Sequence, residues 1–331
     1  MSDKSSNEII KEISEHIKTT FGFKVREAIP VVMGYANLKW KVHTDDEVLF
    51  VKQYNEVRYP EKLLKSVETA LGLQDLLHTE GIPCPKLSSN NDLFIQRTPS
   101  GERYIVTEYC EGSLVKPGEV NTDQMYHLGQ IVGRMHKILY TKAAQSLTLH
   151  WKPESKEAKI QKWAKSWHEA VEQAADKYIS ALETQRKIID EIDLDLFESC
   201  EEGWVHWDLF VDNLLFHDRC VSSILDFDRM HYIYPEFDIS RAILSGSILN
   251  GNINMKSVNA FICGYTESMP ITVDKFVRSI KLTWWKECSW IYVKSEDHRT
   301  LKRFVDELIW IGENWSRLEE IFQEIKLDAN H

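Results

Sequence analysis

The distribution of strand-type and helix-type patterns along the chain limits the fold more than any other feature. Strand patterns dominate early: "LKWKVHT" (38–44) and "EVLFVKQY" (47–54) flank a two-residue Asp-Asp turn and predict a β-hairpin. "DLFIQRT" (92–98) and "RYIVTEYC" (103–110) surround the turn signal "PSG" and predict two more strands. A first helix over 6–20 and a second over 61–80 accompany these strands. The first 110 residues therefore predict a small antiparallel sheet with few helices.

The character of the sequence changes near Gly112, where helical periodicity takes over. The helical segments are predicted over 121–140, 155–175, 177–192 and 236–327, with one continuous last helix from residue 299 to 325. The pattern predicts an α+β chain of two lobes. The N-lobe, residues 1–111, has a β-sheet and one main helix, and the C-lobe, residues 112–331, is helical. A short β-type island, 204–228, interrupts the helices.

Composition excludes several functional classes. The chain has 331 residues, 43% of them hydrophobic, which suits a folded core and argues against disorder. Its formal net charge of −11 argues against a nucleic-acid partner, because phosphate backbones require basic patches. The same acidic excess would tolerate, and could attract, a cationic small molecule.

The cysteine pattern and the hydropathy profile predict a cytoplasmic protein. Six cysteines are scattered through the chain and none forms a C-x-x-C pair, so they favour reduced thiols over a zinc site or a disulfide framework. No run of eighteen apolar residues predicts a membrane span, and the N-terminal segment does not resemble a signal peptide.

The β-type island carries the residues with the most chemical content. His206, Asp208 and Asn213 form the pattern H-x-D-x-x-x-x-N, and Asp226 follows thirteen residues after the asparagine. Two apolar strands around a polar turn would place Asn213 beside Asp226, where an amide oxygen and a carboxylate suit Mg²⁺. A carboxylate at Asp208, on the loop before Asn213, can accept a proton from an attacking hydroxyl. The island therefore predicts a base and a metal site.

A lysine on an N-lobe strand supplies the cation that such a site needs. Strand alternation puts Leu49 and Val51 on one face and Lys52 on the other, where it could hold nucleotide phosphates. A glutamate on the following helix would orient this lysine, and Glu68 fits best, with Glu61 as the alternative.

Two further N-lobe segments are candidates for nucleotide contacts. The loop at 31–40 would cover the phosphates, although Gly34 is its single glycine and it forms no G-x-G-x-x-G motif. The strand "IVTEYCEG" (105–112) could hydrogen-bond adenine through the carbonyl of Glu108 and the backbone N–H of Cys110.

With these motifs the chain resembles the aminoglycoside phosphotransferase family. This family has a protein-kinase-like fold and also includes choline/ethanolamine kinases and bacterial homoserine kinases. The resemblance covers nearly the whole chain and rests on motifs in the family order: Lys52 in "VLFVKQY", Glu68 ahead of "GIPCP", "VTEYCEG", "HWDLFVDN", "ILDFD" and "PEFDIS". It implies transfer of the γ-phosphoryl group of ATP or GTP to a hydroxyl of a small molecule, with Mg²⁺.

The resemblance also implies individual roles. Asp208 would be the catalytic base, Asn213 and Asp226 the Mg²⁺ ligands, and Lys52 the phosphate-binding cation paired with Glu68. Supporting roles are expected for three more residues: Asp238, which corresponds to a family aspartate that supports the catalytic loop, His206 as a loop anchor, and Asp228 as either a metal or substrate contact or a structural residue. The family commonly has glycine where this chain has Trp207, which leaves the loop geometry open.

Several alternatives remain open at this stage. A metabolite acceptor (an amino alcohol, an amino acid or a sugar) is preferred to an aminoglycoside antibiotic, and a nucleotide-binding pseudokinase or scaffold is the alternative of a different class. The eleven tryptophans could line a cation-binding cage, but helix packing is the preferred interpretation for those of the C-terminal helices. ATP against GTP and the oligomeric state are not decided by the sequence.

Overall fold

The computed structural model describes residues 4–32, 37–146, 148–294, 299–323 and 325, with the side chains of 299–301 excepted. The chain divides into two compact units. The first unit contains residues 1–113 together with the short segment 222–230, and the second contains 114–221 and 231–331. Segment 222–230, which carries Asp226 and Asp228, thus belongs with the N-terminal residues although it lies more than a hundred residues later in sequence.

The first unit is built on a five-stranded antiparallel sheet. In sheet order its strands are β1 (Val25–Pro30), β2 (Lys39–Thr44), β3 (Val48–Gln53), β5 (Arg103–Glu108) and β4 (Gln96–Arg97). The predicted hairpin is confirmed, with Lys39 opposite Lys52 in its register. Two helices accompany the sheet, α1 (Ser6–Phe21) and α2 (Glu61–Thr79).

The two faces of β3 have different surroundings because side chains alternate along a strand. Leu49 and Val51 are buried in one cluster with Ile13 and Ile17 of α1. Lys52 stands opposite Ile105 of β5, which packs in a second cluster with apolar residues of α2. The sheet therefore turns the lysine toward its α2 side, away from the α1 core.

The second unit is mainly helical. Its long helices are α3 (Thr122–Lys142), α4 (Lys156–Glu172), α5 (Asp176–Glu191), α6 (Glu236–Ser247), α7 (Met255–Thr266), α8 (Val273–Glu287) and α9 (Arg299–Glu313), and α10 (Leu318–Phe322) is short. Every residue of α6 is buried, so this helix forms the centre of the unit. Within the described residues, no helix combines the length and apolarity needed to cross a bilayer.

Short strands lie between these helices. β6 (Gly203–Val205) pairs antiparallel with β9 (His231–Ile233), and β10 (Ile248–Leu249) pairs with β11 (Asn252–Ile253). β7 (Leu214–His217) is followed by β8 (Cys220–Ile224), whose last three residues belong to the first unit. The β-type island of the sequence is thus confirmed as a set of short strands.

The prediction of one continuous last helix is wrong. α9 ends at Glu313, and a 3₁₀ turn over Trp315–Arg317 separates it from α10. Asn314 lies at the break, and its side-chain amide donates to the carbonyl of Trp310, which also accepts the ordinary helical bond from the backbone N–H of Asn314. Side-chain amides that bond nearby backbone in this way compete with helix continuation. The apolar positions after the break, such as Leu318 and Phe322, are nevertheless buried as predicted.

Glycines permit an unusually close approach of α3 and α7. A Cβ on Gly129 would lie 2.0 Å from the carbonyl oxygen of Phe261, and one on Gly264 would lie 2.1 Å from that of Tyr126. Neither backbone oxygen can move aside without separating the two helices.

We expect Gly129→Ala to lower the free energy of unfolding by at least about 2 kcal/mol, since overpacking against backbone forces helices apart. Gly72→Ala on α2 is the matched control, because its Cβ would have nothing within 4 Å. That change should stabilise the protein by about 0.5–1 kcal/mol through helix propensity alone. Urea unfolding measures both, and equal effects of the two substitutions would contradict the close approach.

Candidate active site

In the first unit, Lys52 lies between two carboxylates. Its ammonium donates to Asp226, and to Oδ2 of Asp228 at 2.7 Å. The hydroxyl of Tyr59 donates to the same Asp228 oxygen at 3.0 Å. Lys52 and Asp228 are almost fully buried, whereas the side chain of Asp226 is about three-tenths exposed. The sequence-predicted lysine and both aspartates of "LDFD" therefore form one cluster.

The electrostatics of this cluster favour a charged Lys52 and a neutral Tyr59. Burial lowers the pKa of Lys52, but the carboxylates of Asp226 and Asp228 outweigh it and hold the pKa above its ordinary value. Burial and the charge of Asp228 raise the pKa of Tyr59 to about 12, so its hydroxyl remains a donor at neutral pH. Lys52 is accordingly a charged lysine at neutral pH, and its role in binding phosphate stays a prediction.

Glu68 is not the partner of Lys52 among the described residues. Its two carboxylate oxygens accept the backbone N–H groups of Phe94 and Ile95, the latter at 3.1 Å. The alternative, Glu61, is exposed and binds Arg97 at 2.8 Å. The expectation that a helix glutamate orients the lysine is corrected, because Asp226 and Asp228 occupy the ammonium and Glu68 satisfies the backbone before β4.

The strand predicted to contact adenine is β5 and the residues after it. The backbone N–H of Glu108 donates to the carbonyl of Lys86 at 3.0 Å, and its carbonyl accepts the hydroxyl of Thr107 at 2.9 Å. Cys110 is half-buried, and burial raises the pKa of its thiol. Adenine contacts at Glu108 and Cys110 stay a prediction. Gly34 of the predicted phosphate loop lies outside the described residues.

In the second unit, a tight loop after β6 carries the H-x-D-x-x-x-x-N residues. The backbone N–H of Asp208 donates to Nδ1 of the fully buried His206 at 3.3 Å. The side-chain amide of Asn213 donates to the backbone carbonyl of Asp208 at 2.8 Å and to its Oδ2 at 3.2 Å. Asp208 is thus fixed from both ends of the loop by residues that the sequence pattern had singled out.

Asp238 at the start of α6 holds this loop from below. Its fully buried carboxylate accepts the backbone N–H of His206 at 2.7 Å and that of Trp207 at 3.0 Å. Nε2 of His136 on α3 lies 3.2 Å from the same carboxylate. We call this set of contacts the Asp238 clamp. It fixes the backbone on the N-terminal side of Asp208.

Trp207 has a left-handed backbone, with φ of 67°. Residues with a Cβ rarely adopt this region, and glycine does so freely. A glycine at this position would adopt the conformation of the loop without strain. The Asp238 clamp also restrains this residue, because the Asp238 carboxylate accepts the backbone N–H of Trp207.

The apolar residues in "HWDLFVDNLLF" anchor the loop that carries the polar residues. Leu209 and Val211 are fully buried, and the backbone N–H of Val211 donates to the hydroxyl of Ser245 on α6 at 3.2 Å. Phe210 between them is buried as well, whereas Asp208 and Asp212 on either side are at least partly exposed. Three consecutive buried residues, 209–211, therefore anchor the loop to the core.

The ring of Trp207 lies in an aromatic recess that the sequence did not predict. Its centroid is 5.3 Å from that of Phe237 and 6.4 Å from that of Trp151. The ammonium of Lys286, at the end of α8, lies 4.4 Å from the Trp207 centroid. The signal for it in the sequence was the segment "WWKECSW", in which Lys286 stands among tryptophans. The tryptophans before it, Trp284 and Trp285, are buried in helix packing, as preferred.

Each unit offers a candidate oxygen atom for a divalent cation. Both amide hydrogens of Asn213 point to Asp208, so its Oδ1 is the atom available for a cation, and no described residue donates to it. In the first unit, Oδ1 of Asp228 is buried without a hydrogen-bond partner among the described residues. Oxygen donors of this kind are the ligands Mg²⁺ prefers. Asn213 and Asp226 lie in different units, so their pairing stays a prediction.

The left-handed backbone of Trp207 gives a direct test of the loop geometry. Trp207→Ala and Trp207→Gly both remove the ring, and only glycine adopts the observed φ without strain. We expect the glycine variant to be more stable than the alanine variant by about 1 kcal/mol, measured by urea unfolding. An alanine variant that is equally or more stable would show that the loop does not need this conformation.

Solved structures confirm the expected fold. Spectinomycin phosphotransferase, in complex with ADP and spectinomycin, superposes with a TM-score of 0.62 at 15% identity, covering 95% of this chain and 98% of that one. An amicoumacin kinase in complex with AMP-PNP, Ca²⁺ and its antibiotic gives a TM-score of 0.56 at 14% identity, covering 95% and 97%. Both share the α+β protein-kinase-like fold with this chain.

Sequence comparisons agree with the fold. The homoserine kinase of Rhodopseudomonas palustris (strain BisA53) is 25% identical over 247 residues, which cover 73% of this chain and 70% of that protein. Residues 27–258, most of the chain and all of the motifs above, match the sequence profile of the phosphotransferase enzyme family. The chain belongs to that family of kinase-like phosphotransferases.

Proposed function

We propose that the protein transfers the γ-phosphoryl group of ATP to a hydroxyl of a small metabolite, with Mg²⁺. The catalytic-loop geometry carries this proposal: Asp208 is held by His206 and Asn213 on one side and by the Asp238 clamp beneath. An aspartate fixed in this way serves as the base for an attacking hydroxyl, and positioning of this kind accounts for much of the catalysis of phosphoryl transfer.

Each residue has a defined task in this reaction. Asp208 orients the acceptor hydroxyl and accepts its proton as the oxygen attacks the γ-phosphorus. The bond from γ-phosphorus to the bridging oxygen breaks, and ADP leaves with that electron pair. Asn213 keeps Asp208 in place through its amide and presents its oxygen for a cation. Little covalent chemistry is required of the side chains.

Lys52 and the two aspartates of "LDFD" support the nucleotide side of the reaction. Asn213 and Asp226 would hold Mg²⁺, which neutralises phosphate charge when bound. Lys52 would bind the nucleotide phosphates, exchanging its contact with Asp226 for phosphate oxygens while Asp228 keeps hold of the ammonium. Asp228 thus acts as the constant partner of Lys52, the role that the sequence had assigned to Glu68.

Similar proteins indicate which nucleotide and which acceptors should be tested first. ATP is favoured over GTP because neighbours of the same fold were solved with ADP or AMP-PNP. Homoserine is the first acceptor to test, because the relatives at 22–25% identity are homoserine kinases. An aminoglycoside is the second candidate, supported by neighbours that bind gentamicin or spectinomycin. A cytoplasmic location remains part of the proposal, and all six cysteines are free thiols in the structure.

The test is an acceptor screen with ATP over amino acids, amino alcohols, sugars and aminoglycosides. We expect Asp208→Asn to lower kcat at least about 100-fold on the accepted substrate, as loss of a general base does. Asp190→Asn is the control, because Asp190 is an exposed partner of Arg186 on α5. Turnover that survives Asp208→Asn would contradict the role of Asp208 as the base, and no turnover on any acceptor would favour a nucleotide-binding scaffold instead.

The reassigned glutamate makes a second prediction. Glu68→Ala leaves two backbone N–H groups without an acceptor, so we expect it to lower the free energy of unfolding by about 1–3 kcal/mol. ATP affinity should stay within about twofold, because Glu68 does not touch Lys52. Lys52→Ala should instead weaken ATP binding about tenfold or more, since it removes a charge-assisted contact. Isothermal titration with Mg·ATP separates the two, and a large loss of affinity in Glu68→Ala would contradict the reassignment.

A further inference from the structure

Lys286 is the feature of the second unit that the proposed reaction does not yet use. Its ammonium lies 4.4 Å from the ring centroid of Trp207, 5.4 Å from that of Phe237 and 5.9 Å from that of Trp290. A lysine ammonium within about 6 Å of aromatic faces is held by their quadrupoles. The cation is therefore fixed in the aromatic recess rather than extended into solvent, with its side chain 17% exposed.

The recess adjoins the catalytic base. Trp207 is the residue immediately before Asp208, and the Asp238 clamp fixes the backbone between them. Phe237 is the neighbour of Asp238 on α6, and Trp151 packs on Phe237 with centroids 5.3 Å apart. The same short stretch of backbone thus sets the position of both Asp208 and the ring that carries Lys286.

The charge at Lys286 is only partly compensated. Its ammonium donates to Oε1 of Glu287 at 3.1 Å. Glu287 is fully buried and shares its other oxygen with the guanidinium of Arg241 at 3.3 Å. One carboxylate therefore serves two cations. Among the described residues, no second carboxylate pairs with Lys286, so two of its three N–H donors remain for a ligand or water.

These features suit a small acceptor with an acidic group. An anion can bind the exposed side of the ammonium, and aromatic rings can pack against a short aliphatic chain. A polycationic aminoglycoside would meet a like charge in the same recess. The acidic composition of the chain suggested a cationic acceptor, but the aromatic recess next to the catalytic loop carries a cation.

We propose that Lys286 binds the carboxylate of the phosphate acceptor, so that the substrate is a hydroxy acid or a hydroxy amino acid. This inference rests on the proposed function, and it adds the group that the acceptor must carry. The recess of Trp207, Phe237 and Trp151 takes the carbon chain, and Lys286 sets which end of the molecule lies away from Asp208. Trp207 thereby contributes to substrate choice.

The first test compares two acceptors that differ only in the carboxylate. L-Homoserine and 3-amino-1-propanol share the amino group, the chain and the hydroxyl. We expect kcat/KM for homoserine, or for the preferred hydroxy amino acid of the screen, to exceed that of its decarboxylated analogue by at least about 100-fold. Equal kcat/KM for the two acceptors, or a preference for an aminoglycoside, would overturn the assignment of Lys286. The proposed function would still stand if that turnover depended on Asp208.

The second test uses a matched pair of variants on one helix. Lys286→Met should raise KM for the carboxylate acceptor about 10- to 100-fold and leave kcat and KM for ATP nearly unchanged. Lys281→Met is the control, because Lys281 also lies on α8, is 17% exposed and stands 5.5 Å over the ring of Trp315. Lys286→Arg should restore most of the affinity. A Lys286→Met variant with unchanged KM would assign the lysine to packing alone.

A binding measurement completes the test without turnover. Titration of the wild-type protein with L-homoserine, followed by calorimetry, should give a dissociation constant that Lys286→Met weakens and Lys281→Met does not. Thermal unfolding shows that each variant is folded. If the wild-type protein binds no hydroxy acid or hydroxy amino acid of the panel, the assignment is overturned even where an Asp208-dependent activity exists.

Discussion

The buried carboxylate of Asp238 is the constraint on which the site of the second unit depends. It accepts two successive backbone N–H groups, from His206 and Trp207, and so determines a turn with a left-handed residue. A buried carboxylate is costly without such donors, and a buried turn is costly without such an acceptor. The two stabilise each other, and the exit of that turn is Asp208. The orientation of Asp208, the proposed base, is thus a consequence of satisfied backbone hydrogen bonds.

Cations in both units are arranged by the same rule. Lys52 is buried between Asp226 and Asp228, and Lys286 is held by aromatic faces with a share in Glu287. Each is held in place by these partners. Fixed cations suit a phosphotransferase, because its nucleotide carries phosphates and its acceptor must be oriented.

Local pattern predicted those parts of the site that depend on neighbours in sequence. Alternation placed Lys52 on the correct face of β3, and the spacing of Asp208 and Asn213 predicted a loop in which they touch. The local pattern did not predict contacts whose partners are distant in sequence. Glu68 bonds backbone 26 residues later, and two of the rings over Lys286, those of Trp207 and Phe237, come from distant segments. Side-chain direction and such long-range contacts have no local signature. The left-handed backbone of Trp207 was likewise hidden, because the residue type argues against it.

The most direct test of the central claim is the turnover of Asp238→Asn. The amide would place an N–H₂ group against a backbone N–H and lose half of the clamp. At a temperature where the variant is folded, we predict that kcat falls about 100-fold or more while KM for ATP stays within about threefold, because Lys52 and its aspartates are untouched. A variant with near-normal kcat would contradict the account, since it would show that Asp208 is oriented without the clamp.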